Sequence, residues 1–284
     1  MSLSRELEGD GGGLLHPLSL CPIMRVEELI AGLDGIFPFS YALSWDNSGL
    51  QVGDPAQELT GVTVALDPNL RSIEETLRYD ANCLVTHHPL LFRSLKRISA
   101  ADPVGEAVFA LAKNSISLIS LHTNLDVAPG GLADRVAKLL EVEVEGPMML
   151  EEEKGLGRVG YTSSSFEFYE LLDFVKEALN LKSLRVVNLP SYQEKRVWKI
   201  ALCPGSGGDL VSAAASTGAQ VYLTGDLKYH QATEALELGI TVVDAGHYGT
   251  ERPAVDLLAE TVRRIVDDGV FVNEIEGEDP FQEV

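Results

Sequence analysis

The residues with the most chemistry to offer in this sequence are histidines and carboxylates in three short stretches. His87 and His88 stand side by side in CLVTHHPLLF, His122 and Asp126 are four apart in HTNLD, and His247 and Glu251 are four apart in GHYGTE. Neutral imidazole and carboxylate together suit borderline divalent metals such as zinc, ferrous iron, manganese or nickel, whereas magnesium and calcium prefer oxygen alone. The set has too many donors for a closed structural zinc, which takes four ligands and favours cysteine. It is about right for two metals bridged by a carboxylate and a water, with Glu251 a suitable bridge. A single His-x-x-x-Asp pair is weak and reads first as a capping pair. Adjacent histidines on a buried strand weigh more, because alternation sends their side chains apart unless the strand has already ended. Pro89 supports an ending there, since it cannot continue a central ladder and biases His88 toward an extended exit.

Strand ends have to position these groups. Apolar runs at 62–66, 83–86, 116–121, 197–203, 221–224 and 241–245 read as strands. Segments 71–79, 103–113, 131–140, 208–216, 229–238 and 250 onward read as helices, as does 26–37 from its apolar spacing. Near-continuous apolar strands separated by helices predict parallel pairing, with helices covering the sheets. In such sheets ligands gather beyond the carboxyl ends of the strands. Thr250 reads as an N-cap with Pro253 in the first turn, which places Glu251 at a helix start. The SWDNSGLQVG segment at 44–53 is rich in turn formers; Trp45 reads as a core anchor and Asp46 and Asn47 as a turn.

The strand–helix series also occurs twice. VALDPNLRSIEETLRYDANCLVTHH lies over IALCPGSGGDLVSAAASTGAQVYLTGD, and SLISLHTNLD over ITVVDAGHYGTE. In this register Asp226 matches His88, while His247 and Glu251 match His122 and Asp126; His230 follows just inside the next helix. A duplicated chain is implied. The expected fold is α/β: two similar lobes of duplicated βαβ units, mainly parallel sheets, and a dinuclear metal site in the cleft between them. Residues 1–23 read as a flexible extension, with Met24 as an alternative start. Residues 24–145 read as the first lobe, 146–192 as a short connecting β-α-β segment, and 193–284 as the second lobe.

Composition narrows the partners. The 284 residues carry 22 basic and 43 acidic side chains, a formal charge of −21. Such a surface repels phosphate backbones and anionic lipid, which argues against nucleic acid and membranes as main partners. The 3 cysteines, Cys21, Cys83 and Cys203, have no CxxC spacing, so a reducing cytoplasm fits best. No apolar run approaches the roughly 20 residues that span a bilayer. CPGSGGD at 203–209 lacks the Lys-Ser/Thr of a P-loop and reads as a helix-opening turn. Cys203 reads as a small core residue in preference to a nucleophile.

WDNSGLQVG, THHPLLF, HTNLDVAPGG, GLGRVG, TGDLKYHQA and GHYGTE together resemble the dinuclear-metal proteins called GTP cyclohydrolase I type 2-like, or NIF-three-like, from about Met24 to the C-terminus. The resemblance implies that His87, His88, Asp126, His247 and Glu251 bind two divalent metal ions, with zinc, iron or manganese as the metals. It implies that His122, Asp226 and His230 orient ligands or move protons in the pocket, with His122 the candidate proton shuttle. It also implies a homohexamer and a metal-dependent hydrolase in which two metals activate a bridging water against a nucleotide-like substrate such as GTP. Arg93, Lys96 and Arg97 are the cations near such a ligand. Phosphoester hydrolysis would use the same metals. The rival class is a non-enzymatic metal carrier, sensor or protein-interaction scaffold. The family's larger inserted domain is absent from the short segment after Gly155.

Overall fold

The structure, a computed structural model, describes residues 24–189 and 196–282. The expectation for residues 1–23 lies outside the described residues. In the first half, α1 (Val26–Ile36) leads to β1 (Gly49–Val52), β2 (Gly61–Ala65), α2 (Leu70–Arg78), β3 (Cys83–Thr86), α3 (Pro103–Lys113) and β4 (Ser117–Ser120). Then come α4 (Thr123–Val127), α5 (Leu132–Leu139), β5 (Val142–Gly146), and the small hairpin β6 (Met149–Glu151) with β7 (Lys154–Leu156). The remainder is β8 (Arg158–Glu167), α6 (Phe168–Leu179), β9 (Arg185–Val187), β10 (Arg196–Ser206), α7 (Val211–Ser216), β11 (Val221–Gly225), α8 (Tyr229–Leu238), β12 (Thr241–Asp244), α9 (His247–Glu251), α10 (Pro253–Ile265) and β13 (Phe271–Glu274).

Local chemistry accounts for the helix starts. The Asn69 side chain accepts from Ser72 N at 2.9 Å to open α2, and Asp102 accepts from Gly105 N at 2.8 Å ahead of Pro103 in α3. The strands β2, β3, β4, β11 and β12 are buried at every residue, as strands covered on both faces must be.

Two sheets result. The first runs β1-β4-β3-β2-β13 and the second β5-β8-β10-β11-β12-β9. β13, β2, β3 and β4 pair in parallel, as do β10, β11 and β12, and β1, β8 and β9 join them antiparallel. This is the two-lobed α/β architecture the repeat implied. The duplication reaches further than the sequence register. β1 pairs antiparallel with β4, and β9 pairs antiparallel with β12, so α6 and β9 hold the same places in chain order as α1 and β1. The stretch read as a connector therefore supplies opening elements of the second repeat.

Sheet membership also departs from the boundaries drawn at 145 and 192. After β4 the chain crosses to the second sheet, where β5 pairs with β8; after β12 it crosses back, and β13 extends the first sheet beside β2. α5 accordingly packs on β5, β8 and β10, while α10 packs on β2, β3 and β13, and the two helices meet. Val255, Leu258, Ala259 and Val262 of α10 join one apolar core with Val62 and Val85 of the first sheet and Ile200 and Leu223 of the second. α10 is amphipathic: Ala254, Leu258 and Val262 are buried, while Asp256, Glu260, Arg263 and Arg264 form its polar stripe. The exchange matters because α4 and α9 are the first turns of each crossover.

Candidate metal centre

β3 ends at Thr86, and both following histidines turn toward the space where α4 and α9 leave their strands. His87 is fully buried. Its Nδ1 donates to Leu121 O at 2.8 Å, because a carbonyl can only accept, and this leaves Nε2 aimed inward. The same arrangement recurs at three more rings. His88 Nδ1 donates to Asp67 Oδ1 at 2.8 Å, His122 Nδ1 to Asp46 Oδ1 at 2.7 Å, and His247 Nδ1 to Asp226 Oδ2 at 2.8 Å. An acceptor on Nδ1 fixes ring and tautomer and raises the basicity of Nε2, which is how metal-ligating histidines are held.

The inward faces converge on Glu251. Its Oε1 lies 3.7 Å from His87 Nε2, and its Oε2 lies 2.8 Å from both His88 Nε2 and His247 Nε2. Asp126 Oδ1 also lies 3.7 Å from His87 Nε2. Among the described residues two groups could hold a metal ion: His87, His88 and His122, and His88, His247 and Glu251, the ligand atoms of each within 4.8 Å of one another. Within this crowd His87 Nε2 is buried without a hydrogen-bond partner, a costly state for a polar atom. A cation beside it would satisfy the nitrogen and both carboxylates at once, so the residues present fit a divalent metal.

The short helices explain the four-residue spacings. In α9 the i, i+4 relation puts His247 and Glu251 on one face. Thr250 is not the expected N-cap: its hydroxyl donates back to the first turn, to Gly246 O or His247 O, and accepts from Gly205 N at 2.9 Å. Glu251 ends this helix, and Pro253 opens the next. The CPGSGGD loop is more than a helix-opening turn. The β10–β11 register breaks between Leu202 and Ser206, and Gly205, at φ +69°, lies against the Glu251 carboxylate, where a Cβ would collide with Oε1. Gly205→Ala is expected to cost roughly 1–3 kcal/mol for its left-handed backbone and to weaken metal binding by displacing Glu251. Thermal melts with and without added metal check both effects.

Asp226 also adopts a left-handed backbone, φ 54°, which aspartate tolerates and which aims its carboxylate at His247. His230 does not join the cluster. It sits exposed in the first turn of α8, its ring edge-on to exposed Tyr229, because the helix leads away from the strand ends. Cys203 lies beside the site, where burial, reinforced by the Asp126 and Glu251 carboxylates, pushes its thiol up to about 12; a nucleophilic thiolate is thereby disfavoured. Two anchors escaped the sequence reading. Asp46, a turn residue by its sequence neighbours, also accepts from Thr123 N at 3.0 Å, and Asp67 stands at the carboxyl end of β2, where strand-end reasoning finds it. Trp45 is not a core anchor but 52% exposed.

The electrostatics couple metal to protons. Burial acts to lower the His88 pKa, but hydrogen bonds to Asp67 and Glu251 outweigh it and raise it to about 10. The hydrogen bond to Glu251 likewise raises His247 to about 9. Both exceed the ordinary 6.5, so in metal-free protein the imidazolium forms add stability that is complete below pH 6.5 and fades as pH rises through about 9 to 10. A cation must displace these protons. Metal affinity is therefore expected to climb with pH until His247 and then His88 have lost their protons, and to level off only above about 10, with proton release on binding measurable by calorimetry in buffers of different ionisation enthalpy.

A two-sheet α/β protein with oriented imidazoles and carboxylates gathered where two chain crossovers leave the strands belongs to the class of architectures that can hold divalent cations. The sequence profile of Duf34/NIF3 (NGG1p interacting factor 3) matches residues 24–280, and the chain belongs to that family. It is 33% identical over 264 residues to a GTP cyclohydrolase 1 type 2 homolog of Clostridium perfringens, covering 91% of this chain and 99% of the relative. Among solved structures, a Bacillus cereus protein related to NIF3 superposes with a TM-score of 0.82 at 24% identity over 92% of this chain and 99% of the other. Reduced HcgD from Methanocaldococcus jannaschii superposes at 0.78 with 33% identity, over 89% and 98%. No helix among the described residues is long and apolar enough to cross a membrane.

Proposed function

We propose that the protein is a metal-dependent hydrolase that holds two divalent cations, zinc, iron or manganese, and acts on a nucleotide-like substrate. The observation that carries this is the posture of Glu251, whose two oxygens face different histidine nitrogens: Oε1 faces His87, and Oε2 faces His88 and His247. One cation would be held by His87, Asp126 and Glu251, the other by His88, His247 and Glu251. Bound there, such cations supply Lewis acidity and make water a better nucleophile.

The chain's own residues do the rest. Asp67, Asp46 and Asp226 hold the rings in register through Nδ1. His122 presents Nε2 to the cluster, and Asp46, kept ionised by hydrogen bonds from His122 and Thr123 despite its burial, stabilises the imidazolium that forms when this nitrogen takes a proton. His122→Gln is accordingly expected to keep its metal and to lose turnover by about 100-fold or more; loss of metal instead would make His122 a ligand. The nucleotide assignment draws on relatives called GTP cyclohydrolase 1 type 2 homologs. Assembly as a homohexamer follows from the family resemblance, and placement in the cytoplasm from sparse cysteines, of which Cys83 and Cys203 are free.

Elemental analysis of the purified chain, followed by a screen of metal-loaded wild type and Glu251→Ala against nucleotides and phosphoesters, tests the reading. Turnover in wild type that the variant lacks supports it. Ready exchange of metal with a partner protein and no turnover of any compound would replace it with a carrier function.

A further inference from the structure

Beside the metal centre stands a pair of aromatic rings that metal binding does not use. Trp45 and Phe92 are 52% and 46% exposed, their centroids 5.9 Å apart at an interplanar angle of 67°. Each also lies 6.2 Å from the His122 ring, edge-on. Adjacent exposed rings rimmed by polar groups are the kind of apolar patch that marks a binding groove.

The chain spends specific bonds to keep them there. Asn47 Nδ2 donates to Leu91 O at 2.7 Å, and Leu91 N donates to Gln51 Oε1 at 2.8 Å, so both backbone groups of the residue before Phe92 are clamped by the segment that carries Trp45. Asp46, between Trp45 and Asn47, is bonded to His122 and Thr123. The loop then continues with Arg93, Lys96 and Arg97 and has no acidic residue from 91 to 101, in a chain of formal charge −21. All three cations are exposed, and among the described residues none has an ion-pair partner.

We propose that Trp45 and Phe92 form a stacking subsite for a planar heteroaromatic ring, and that Arg93, Lys96 and Arg97 receive the anionic groups of the same ligand, which together select a nucleotide. Every base has a face that can stack on an indole or phenyl ring, and guanidinium and ammonium groups pair with phosphate. A basic loop offsets the repulsion that the rest of this acidic surface presents to such a ligand. The inference deepens the hydrolase reading by naming where the unreacted part of the substrate lies, and it rests on that reading for the placing of the reacting end.

Trp198→Phe leaves Trp45 as the sole tryptophan, since the chain has 2. Metal-loaded protein of this background is titrated with GTP, ATP, CTP and UTP, and in parallel with ribose 5-phosphate and inorganic triphosphate, which lack a base. Saturable quenching of Trp45 by a nucleoside triphosphate and none by the two controls is expected. By equilibrium dialysis, Trp45→Ala should bind that nucleotide about tenfold more weakly with its metal content unchanged, and Trp45→Phe should recover most of the loss. Replacing Arg93, Lys96 and Arg97 by glutamine should weaken the triphosphate more than the free nucleoside. Equal nucleotide affinity in Trp45→Ala overturns the proposal, as does an absence of quenching by all four nucleotides. Quenching that follows protein concentration in place of ligand also overturns it, since the rings would then meet another copy of the chain. Stacking without turnover would sink the hydrolase reading alone; turnover with an unchanged KM in Trp45→Ala would sink the subsite alone.

Discussion

Replacing Glu251 by glutamine should strip the protein of metal while leaving its fold in place. The two side chains have nearly the same shape, so the change isolates charge. Glu251 is almost fully buried, which by itself would raise its pKa, yet hydrogen bonds from His247 and His88 and the charge attraction of His87 hold it well below the ordinary carboxylate range. It is therefore the anionic hub of the cluster. A neutral amide offers a single weak oxygen and cannot face cations on both sides. Loss of a group that merely orients a ligand costs roughly 10–100-fold in metal affinity; removal of the hub should exceed about 100-fold on the same scale. Asp226→Asn, which disturbs only the tether on His247 Nδ1, should fall inside the smaller range. Competition against a chelator, with elemental analysis of the dialysed protein, separates the two variants. Retention of metal by Glu251→Gln within a factor of about ten of wild type would remove Glu251 from the ligand set. The same variant tests the proton coupling, because without Glu251 the raised pKa values of His88 and His247 should drop back toward 6.5.

The largest loss of stability is expected at Arg158. Its guanidinium is almost fully buried and binds Asp134 through Nε at 2.6 Å and Nη2 at 3.1 Å. It also donates to Gly157 O at 2.8 Å, Ala128 O at 3.0 Å, Gly155 O at 3.2 Å and Val127 O at 3.4 Å. Arg158 thus ties the end of α4, the start of α5 and the hairpin before β8 into one cradle. Arg158→Met removes the guanidinium from a carboxylate and four carbonyls, and breaking a buried pair on one side costs roughly 3–5 kcal/mol. In a domain of this size that corresponds to a melting temperature lower by about 10 °C. Arg158→Lys should recover little, since an ammonium cannot present a planar fork to Asp134 and reach the carbonyls as well. Removing Asp134 together with Arg158 should restore part of the loss. Calorimetry on the three variants measures this, and a drop under about 1 kcal/mol in Arg158→Met would show the cradle to be dispensable. Because Val127 and Ala128 directly follow Asp126, the variant should also bind metal more weakly.

Much of the fold was legible because it is written locally. The strand 83–86 and the helix 103–113 coincide with β3 and α3, since a buried apolar run and an Asp-Pro start are properties of consecutive residues. The i, i+4 pairs were legible for the same reason. Other features depend on partners that no local pattern announces. Asp46 meets His122 across 76 positions, and His88 meets Glu251 across 163. Asp46 looks like any turn aspartate until His122 is brought to it, and Trp45 looks like a core residue until the strand ends on either side leave it uncovered. Thr250 does not cap a helix because Gly246, at φ 77°, lets the chain begin its helix at His247, earlier than the Thr-Glu-Arg-Pro pattern suggests.

The sequence by itself determined the element types, the duplication and the gathering of imidazoles and carboxylates at strand ends, because periodicity, capping and a strand's direction act within a few residues. Only the tertiary structure decided that each repeat sends its last helix and strand to the other's sheet. That exchange brings Glu251, from the second repeat, to His87 and His88 of the first, and sets an aspartate or a carbonyl behind each of four rings. The physical reason is that α10 buries one apolar face on the first sheet and against α5, while α5 itself lies on the second sheet, so the crossing helices cover each other.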